Sequence, residues 1–173
     1  IYNIGSIPIF AAMNKQKIVF MDVDGVLNYT QWYISDRNPS NLYGQEGDID
    51  PECVARILKV CEVTGAKIVL SSDWRIDKSA IPRLERAGFP KGLICDQTPE
   101  LIWNCLNSHT GSYSRGKEID MWLNEHPDTY DYVIIDDRED FSDEQKRLHF
   151  VHVDSDIGFT DENMNEAIEI LTR

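Results

Sequence analysis

Two aspartates separated by one residue, Asp22 and Asp24, follow the apolar run 18–21 and precede Gly25. The run consists of strand-prone residues, which predicts a buried strand that ends in a tight turn. In an open α/β sheet, ligands bind in the crevice beyond the carboxyl ends of the strands. One carboxylate at that edge could attack a substrate while the other transfers protons. The pattern therefore predicts a catalytic pair with a cation that holds the two negative charges together.

The same residues could also begin a calcium-binding loop of the EF-hand type. Such a loop needs a glutamate at its twelfth position, and the twelfth residue counted from Asp22 is Tyr33. This excludes the EF-hand interpretation.

The elements that must position the aspartates alternate between strands and helices. Further strands are predicted at Lys67–Leu70, 92–95, 132–135 and 149–154, and helices at 51–64, 77–87, 117–125 and from residue 161. A strand, a helix and a second strand in this order imply a right-handed connection between parallel strands. We therefore predict an α/β fold, a doubly wound, Rossmann-like parallel sheet of about five strands with helices on both faces. Residues 28–50 are predicted to form a long loop whose aromatic side chains pack onto the domain.

Polar residues also follow two other predicted strands. Ser71 and Ser72 end the second strand, and Asp136 and Asp137 end the strand 132–135. Parallel strands bring these residues to one edge of the sheet, where three or four carboxylates would repel one another without a divalent cation. A set of oxygen ligands suits Mg²⁺ rather than zinc.

These residues are what phosphoryl transfer needs: an in-line nucleophile, a cation and donors to the phosphoryl oxygens. Asp22 would attack, and Asp24 would protonate the leaving group and later activate water. Ser71 or Ser72 would bind the phosphate, and Lys117 would supply positive charge.

The ordered motifs over residues 17–172 resemble those of the haloacid dehalogenase superfamily of aspartate-nucleophile phosphatases. The resemblance implies that Asp22 is the nucleophile and Asp24 the general acid and base, with the Asp24 carbonyl also contacting magnesium. It leaves three choices open: Ser71 or Ser72 as the hydroxyl residue, Lys117 or Arg115 as the cation, and Asp137 or Asp140 as the acid that assists Asp136 in binding the metal.

The intervals between the motifs are too short for the cap domain that many members of this superfamily carry, so a capless site is expected. An open site suits a phosphate at the end of a large molecule. The stretches 71–75 and 116–119, with Asp136 and Asp137, look most like the phosphatase-type domains of some RNA repair proteins. Ser72, Arg75 and Arg115 would then contact the substrate phosphate, although Arg75 could equally be an exposed arginine in a salt bridge.

Three other functions are alternatives to a phosphatase of nucleic-acid ends. A small-molecule or nucleotide phosphatase would use the same residues, and a catalytically silent relative would bind phosphorylated ligands without turnover. A receiver domain is disfavoured because its acidic pair lies on the first strand and its lone acceptor on a middle strand. Here the spaced acids come first and the adjacent pair comes on the fourth predicted strand.

Composition bounds the remaining possibilities. The 173 residues include 17 Lys and Arg against 30 Asp and Glu, a formal charge of −13 that argues against broad nucleic-acid binding.

We expect residues 1–16 to be an N-terminal extension, with Met13 as the native start, and residues 17–173 to form one domain. Four cysteines without Cys-x-x-Cys spacing predict reduced thiols and a cytoplasmic protein. No run is long enough to span a membrane, and nothing in the sequence indicates an oligomeric state.

Overall fold

Five parallel strands form a single sheet in a computed structural model that describes residues 16–39, 48–101 and 115–173. The strands are β1 (Gln16–Met21), β2 (Lys67–Leu70), β3 (Ile94–Gln97), β4 (Thr129–Asp136) and β5 (Phe150–His152), in the order β3-β2-β1-β4-β5. The order places β1 at the centre, with one crossover series running outward on each side. This confirms the predicted doubly wound α/β fold.

The helices are α1 (Thr30–Tyr33), α2 (Pro51–Thr64), α3 (Ala80–Arg86), α4 (Arg115–Glu125), α5 (Asp143–His149) and α6 (Asp161–Thr172), with a short 3-10 helix at Asp73–Ile76. Among the described helices, none is both long and apolar enough to cross a membrane.

The register of the sheet aligns the chemically interesting residues. Met21 at the end of β1 is level with Leu70 of β2 and Ile135 of β4. Asp22, Ser71 and Asp136 therefore follow in one row. Adjacent strands of a sheet lie about 4.8 Å apart, so this register alone brings the three residues together.

Both faces of the sheet are covered, and β1 divides its side chains between them. Val19 and Met21 belong to the larger core, which includes residues of α2, α3 and α6. Ile18 and Phe20 belong to a second core on the other face, where Phe20 meets Trp122 of α4 edge to face with ring centroids 5.3 Å apart. A strand buried on both faces is continuously apolar, as this segment of the sequence is.

The predicted limits of α2 are confirmed by its caps. The side chain of Asp50 accepts a hydrogen bond from the Glu52 amide. Pro51 occupies the first turn, where backbone N–H groups have no partner within the helix, so the missing N–H of proline costs no hydrogen bond. Gly65 ends the helix at a φ of 72°, in the left-handed region that glycine adopts without strain.

The segment 28–50 is not loop throughout, because α1 forms within it. The backbone amides of Thr30 and Gln31 donate to the carbonyls of Ser155 and Asp156, so this short helix is fixed by contacts remote in sequence. Tyr29 and Trp32 are buried in the larger core, which confirms that aromatic residues of this segment pack onto the domain.

Helix α5 was not predicted, although its start carries a local signal. Ser142 and Gln145 form a capping box in which each side chain bonds the backbone of the other. Its seven residues are too few for an apolar periodicity to stand out.

Three parts of the chain lie outside the described residues: the N-terminal extension apart from Gln16, residues 40–47 of the predicted loop 28–50, and residues 102–114, which contain Cys105. Of the other cysteines, Cys53 and Cys61 are buried free thiols and Cys95 is an exposed one. Burial raises the pKa of the Cys53 thiol to about 11 and that of Cys61 to about 12, so both are unreactive core residues.

Candidate active site

A cavity of about 370 Å³ opens at the carboxyl edge of the sheet. It is lined by residues that follow β1, β2, β4 and β5, by α1, and by the first residue of α4: Asp22, Asp24, Gly25, Asn28, Tyr29, Thr30, Tyr33, Ser72, Asp73, Arg115, Asp137, Arg138 and Ser155. The topology thus places the cavity where open α/β sheets bind their ligands.

Three carboxylates cluster beside this cavity, and two of them, Asp22 and Asp137, line it. One oxygen from each of Asp22, Asp136 and Asp137 lies within 4.8 Å of the others. Asp22 and Asp136 are buried, and among the described residues Oδ2 of Asp136 has no hydrogen-bond donor. Buried carboxylate oxygens that lack a donor fit a hard divalent cation such as Mg²⁺. Asp140 lies outside the cluster and accepts a hydrogen bond from the backbone amide of Arg115 at 3.0 Å.

Arg115 supplies the positive charge beside these acids. Its side chain is 1% exposed, with Nη1 3.4 Å from Oδ1 of Asp22 and Nε 3.5 Å from Oδ2 of Asp136. The guanidinium also donates to the carbonyl of Ser71 and, over 3.3 Å, to Asp73. One buried cation therefore ties the ends of β1, β2 and β4 together.

Burial dominates the titration of the clustered acids. It raises the pKa of Asp22 to about 6, against the lowering effect of Arg115 and of a hydrogen bond from Ser72. Burial, followed by the negative charge of Asp22, raises the pKa of Asp136 to about 8, and burial also raises the pKa of Asp137. The positive charge of Arg115 alone does not neutralise the three carboxylates, so their remaining negative charge could attract a divalent cation.

The carboxylate of Asp24 is held from two sides. Oδ1 accepts a hydrogen bond of 2.7 Å from the side chain of Asn28, and Oδ2 accepts one of 3.0 Å from the indole of Trp74. Trp74 is itself covered by Arg83, whose guanidinium carbon lies 4.1 Å from the ring centroid. The carboxylate is therefore oriented without being buried among other acids.

Asn28 and Trp74 were not predicted as site residues. Asn28 also accepts a hydrogen bond from the Gly25 amide and closes the turn after β1. Such a side-chain bond across a short turn is a typical asparagine signal that could have been used. The contact between Trp74 and Asp24 spans 50 residues and has no local signal.

The two candidate serines occupy different environments. Ser72 lines the cavity, and its hydroxyl bonds Asp22 and accepts from the Trp74 amide at the start of the 3-10 helix. Ser71 is buried, and its hydroxyl has no partner among the described residues. The structure thus brings Ser72 to the cavity and uses the backbone of Ser71 to hold Arg115.

Lys117 and Arg75, like Ser71 and the buried Asp136, are not among the described residues that line the cavity. Lys117 is exposed on α4, whereas Arg115 at the start of the same helix reaches the acids. A signal for this choice was present, because Ile119 and Trp122 follow Arg115 by four and seven residues and therefore share its helix face. All three are buried.

Arg75 is buried, so it is not the exposed arginine that the sequence allowed, and its contact with a substrate phosphate stays a prediction. Its Nη2 lies 2.6 Å from Oε1 of Glu118, and its Nη1 donates to the Ser72 carbonyl at 2.8 Å. The ion pair links the segment after β2 to α4. A buried pair of this kind fixes the position of neighbouring segments. The hydrogen bond from Arg75 to the Ser72 carbonyl also holds the backbone of Ser72 in place.

Replacing Gly25 by alanine is expected to damage the acid cluster. The residue has a φ of 80°, and a Cβ atom would lie 2.6 Å from the Asp137 carboxylate. We expect the free energy of unfolding to fall by about 1–2 kcal/mol, measured by urea unfolding. If the cluster binds magnesium as the sequence predicts, the magnesium affinity should fall about tenfold, measured by the magnesium-induced rise in Tm.

Gly65→Ala is the matched control for this variant. Its φ of 72° gives a similar backbone strain, but a Cβ atom there would meet nothing within 4 Å. Equal losses of magnesium affinity in the two variants would contradict a metal-binding role for Asp137.

Comparison with protein families gave a match over most of the chain. The family described as the HAD domain in Swiss Army Knife RNA repair proteins matches residues 18–164. The matched region begins in β1 and ends in α6, so it contains all of the sheet except the first two residues of β1, and every residue that lines the cavity. A search of curated proteins found no match.

Proposed function

Since the chain belongs to the family of HAD domains in Swiss Army Knife RNA repair proteins, we propose that it is a magnesium-dependent phosphomonoesterase that forms a phospho-aspartyl intermediate. The observation that carries the proposal is the buried cluster of Asp22, Asp136 and Asp137 around Arg115. A cluster of acids with raised pKa values in a cavity is typical of functional sites.

In the first step, an oxygen of Asp22 attacks the phosphorus and the ester P–O bond breaks. Asp24 donates a proton to the departing alcohol oxygen. Asn28 and Trp74 hold the Asp24 carboxylate in place for this transfer. Ser72, which lines the cavity, donates to a phosphoryl oxygen.

In the second step, Asp24 takes a proton from a water molecule as that water attacks the phosphorus of the acyl phosphate. The bond between phosphorus and Asp22 breaks, which releases inorganic phosphate and restores the carboxylate. A group that acts first as acid and then as base returns to its starting state after each cycle.

The three clustered carboxylates and the backbone carbonyl of Asp24 would hold the magnesium, whose charge offsets that of the phosphoryl oxygens. Arg115 lies against Asp22 and Asp136 and keeps both oriented, so it takes the role that the sequence assigned to Lys117 or Arg115. Asp137, rather than Asp140, is the second acid of the strand-end pair in the cluster.

The substrate we propose is a phosphorylated nucleic-acid end. The family to which the chain belongs is described by RNA repair, and the cavity is open at the edge of the sheet. In the described residues one sheet and its flanking helices account for the fold, which supports a capless site that a large substrate can reach. The free thiols of the protein support a location in the cytoplasm, which is a reducing compartment. A small-molecule or nucleotide phosphatase is the alternative for the same site.

Asp22→Asn is expected to abolish magnesium-dependent phosphate release, because an amide is a poor nucleophile. The assay compares an aryl phosphate with 5′- and 3′-phosphorylated RNA and DNA oligonucleotides, with magnesium or with a chelator. Asp128→Asn is the control: the residue is exposed and precedes β4, at the edge of the sheet opposite the cavity. We expect its rate to match that of the unchanged protein.

Each outcome of this experiment decides one part of the proposal. Full activity in Asp22→Asn would overturn the nucleophile, and full activity in the chelator would overturn the metal. A preference for the aryl phosphate or mononucleotides over every oligonucleotide would favour the small-molecule alternative. Inactivity of the unchanged protein on a broad panel of phosphate esters would instead indicate a silent phosphate-binding module.

A further inference from the structure

The cavity is lined by two arginines in opposite electrostatic situations. Arg115 is buried among carboxylates. The side chain of Arg138 is 45% exposed, and within the described part of the chain its guanidinium has one ion-pair partner, Asp140, with Nη2 3.5 Å from Oδ2. Exposed ion pairs are weak, so Arg138 can exchange this carboxylate for another anion.

The backbone of Arg138 is fixed beside the metal-binding acids. Its amide donates to Oδ1 of Asp136 at 2.9 Å. The carbonyl of the preceding residue, Asp137, lies 3.1 Å from Nε2 of His152 on β5. The side chain thus extends from an anchored position next to the proposed reaction centre, is 45% exposed and lines the cavity.

We propose that Arg138 binds the phosphodiester next to the phosphate that is hydrolysed, and so makes the site prefer an oligonucleotide end to an isolated phosphate ester. This inference rests on the proposed function. The chain carries a formal charge of −13, and Asp24 and Asp73 also line the cavity. A polyanion therefore needs a local cation at this point, and a guanidinium binds phosphate through two parallel hydrogen bonds.

The test compares values of kcat/KM for p-nitrophenyl phosphate and for a trinucleotide phosphorylated at its preferred end. In Arg138→Ala the ratio of the trinucleotide value to the aryl phosphate value is expected to fall about tenfold. The salt dependence of the trinucleotide value should weaken by about 0.7 in logarithmic slope, as for one lost phosphate contact. Arg86→Ala removes an exposed arginine from α3 and should leave the ratio unchanged.

A second measurement identifies the phosphate that Arg138 contacts. The trinucleotide is made with an uncharged methylphosphonate at the linkage next to the terminal phosphate. The unchanged protein should discriminate against this substrate about tenfold, whereas Arg138→Ala should hydrolyse both trinucleotides at similar rates, because the partner of the lost charge is already absent.

The outcomes separate this inference from the proposed function. Equal discrimination against the methylphosphonate in both proteins, or an unchanged substrate ratio in Arg138→Ala, would overturn the role of Arg138 while magnesium-dependent hydrolysis of the aryl phosphate still stands. Failure of the unchanged protein to hydrolyse any of these esters would overturn both.

Discussion

Arg115→Met is expected to lower phosphatase activity about 10³-fold, because it removes the positive charge that lies against Asp22 and Asp136. Methionine keeps an unbranched apolar stem but lacks the guanidinium, so it leaves the buried carboxylates without their cation. Removing one partner from a buried charge cluster costs about 3 kcal/mol. We therefore expect a parallel loss in the free energy of unfolding, measured by urea titration in the absence of magnesium.

Two further variants separate catalysis from folding. Arg115→Lys keeps the charge but cannot reproduce the fork of donors, so it should recover most of the stability and only part of the rate. Lys117→Met, which changes an exposed residue on the same helix, should leave both the rate and the stability within about twofold and 0.5 kcal/mol of the unchanged protein. A larger loss of rate in Lys117→Met than in Arg115→Met would contradict the assignment of the cation.

Asp22 and Asp136 were predictable because each comes directly after an apolar run of the sequence, 18–21 and 132–135. Once parallel strands are inferred, the positions of Asp22 and Asp136 follow from the register of the sheet and need no knowledge of side-chain packing. The observed pairing of β1 with β2 and β4 confirms these two positions. Their roles as nucleophile and metal ligand remain predictions.

The choice of cation depended on the rotation of α4. Residues two apart on a helix point about 200° apart, so Arg115 and Lys117 cannot both face the acids. Gly116 sets this rotation through a close approach, since a Cβ atom there would lie 3.2 Å from the backbone of Phe141. The spacing of the motifs alone does not tell which of the two residues faces the acids. The apolar helix face that contains Ile119 does, because Arg115 lies on that face.

The contacts made by Trp74 and Arg75 show where sequence patterns stop. Each bonds a residue more than 40 positions away, Trp74 to Asp24 and Arg75 to Glu118. Such pairs depend on how distant segments pack and leave no local pattern in the sequence. The sequence therefore indicated that both residues lie near the end of β2, but not that one orients a carboxylate and the other enters a buried ion pair.

Magnesium-free protein is expected to lose stability as the pH rises, and Asp136→Asn to remove most of that loss. Burial raises the pKa of Asp136 to about 8 and that of Asp22 to about 6, whereas an aspartate in the unfolded chain titrates near about 3.9. Between these values the folded protein binds more protons than the unfolded chain, so its free energy of unfolding falls with increasing pH. From pH of about 6 to about 8, we expect Asp136 alone to lower it by about 2 kcal/mol.

Urea unfolding in a chelator, at pH values from about 5 to about 8, measures this effect. Asparagine keeps the shape of the side chain and can still accept the hydrogen bond from the Arg138 amide, so the comparison isolates the charge. The difference in unfolding free energy between the two proteins should change steadily with pH. A constant difference would show that Asp136 does not titrate in this range.

In the proposed site magnesium binds the ionised carboxylates and must displace their protons, so it should reverse the loss. Its affinity is therefore expected to rise with pH over the same range, and binding should release protons into weakly buffered solution. At pH of about 8, saturating magnesium should raise the Tm of the unchanged protein but not that of Asp136→Asn, since the variant lacks one of the clustered oxygen ligands. A magnesium affinity that does not vary with pH would contradict a site built from buried carboxylates of raised pKa.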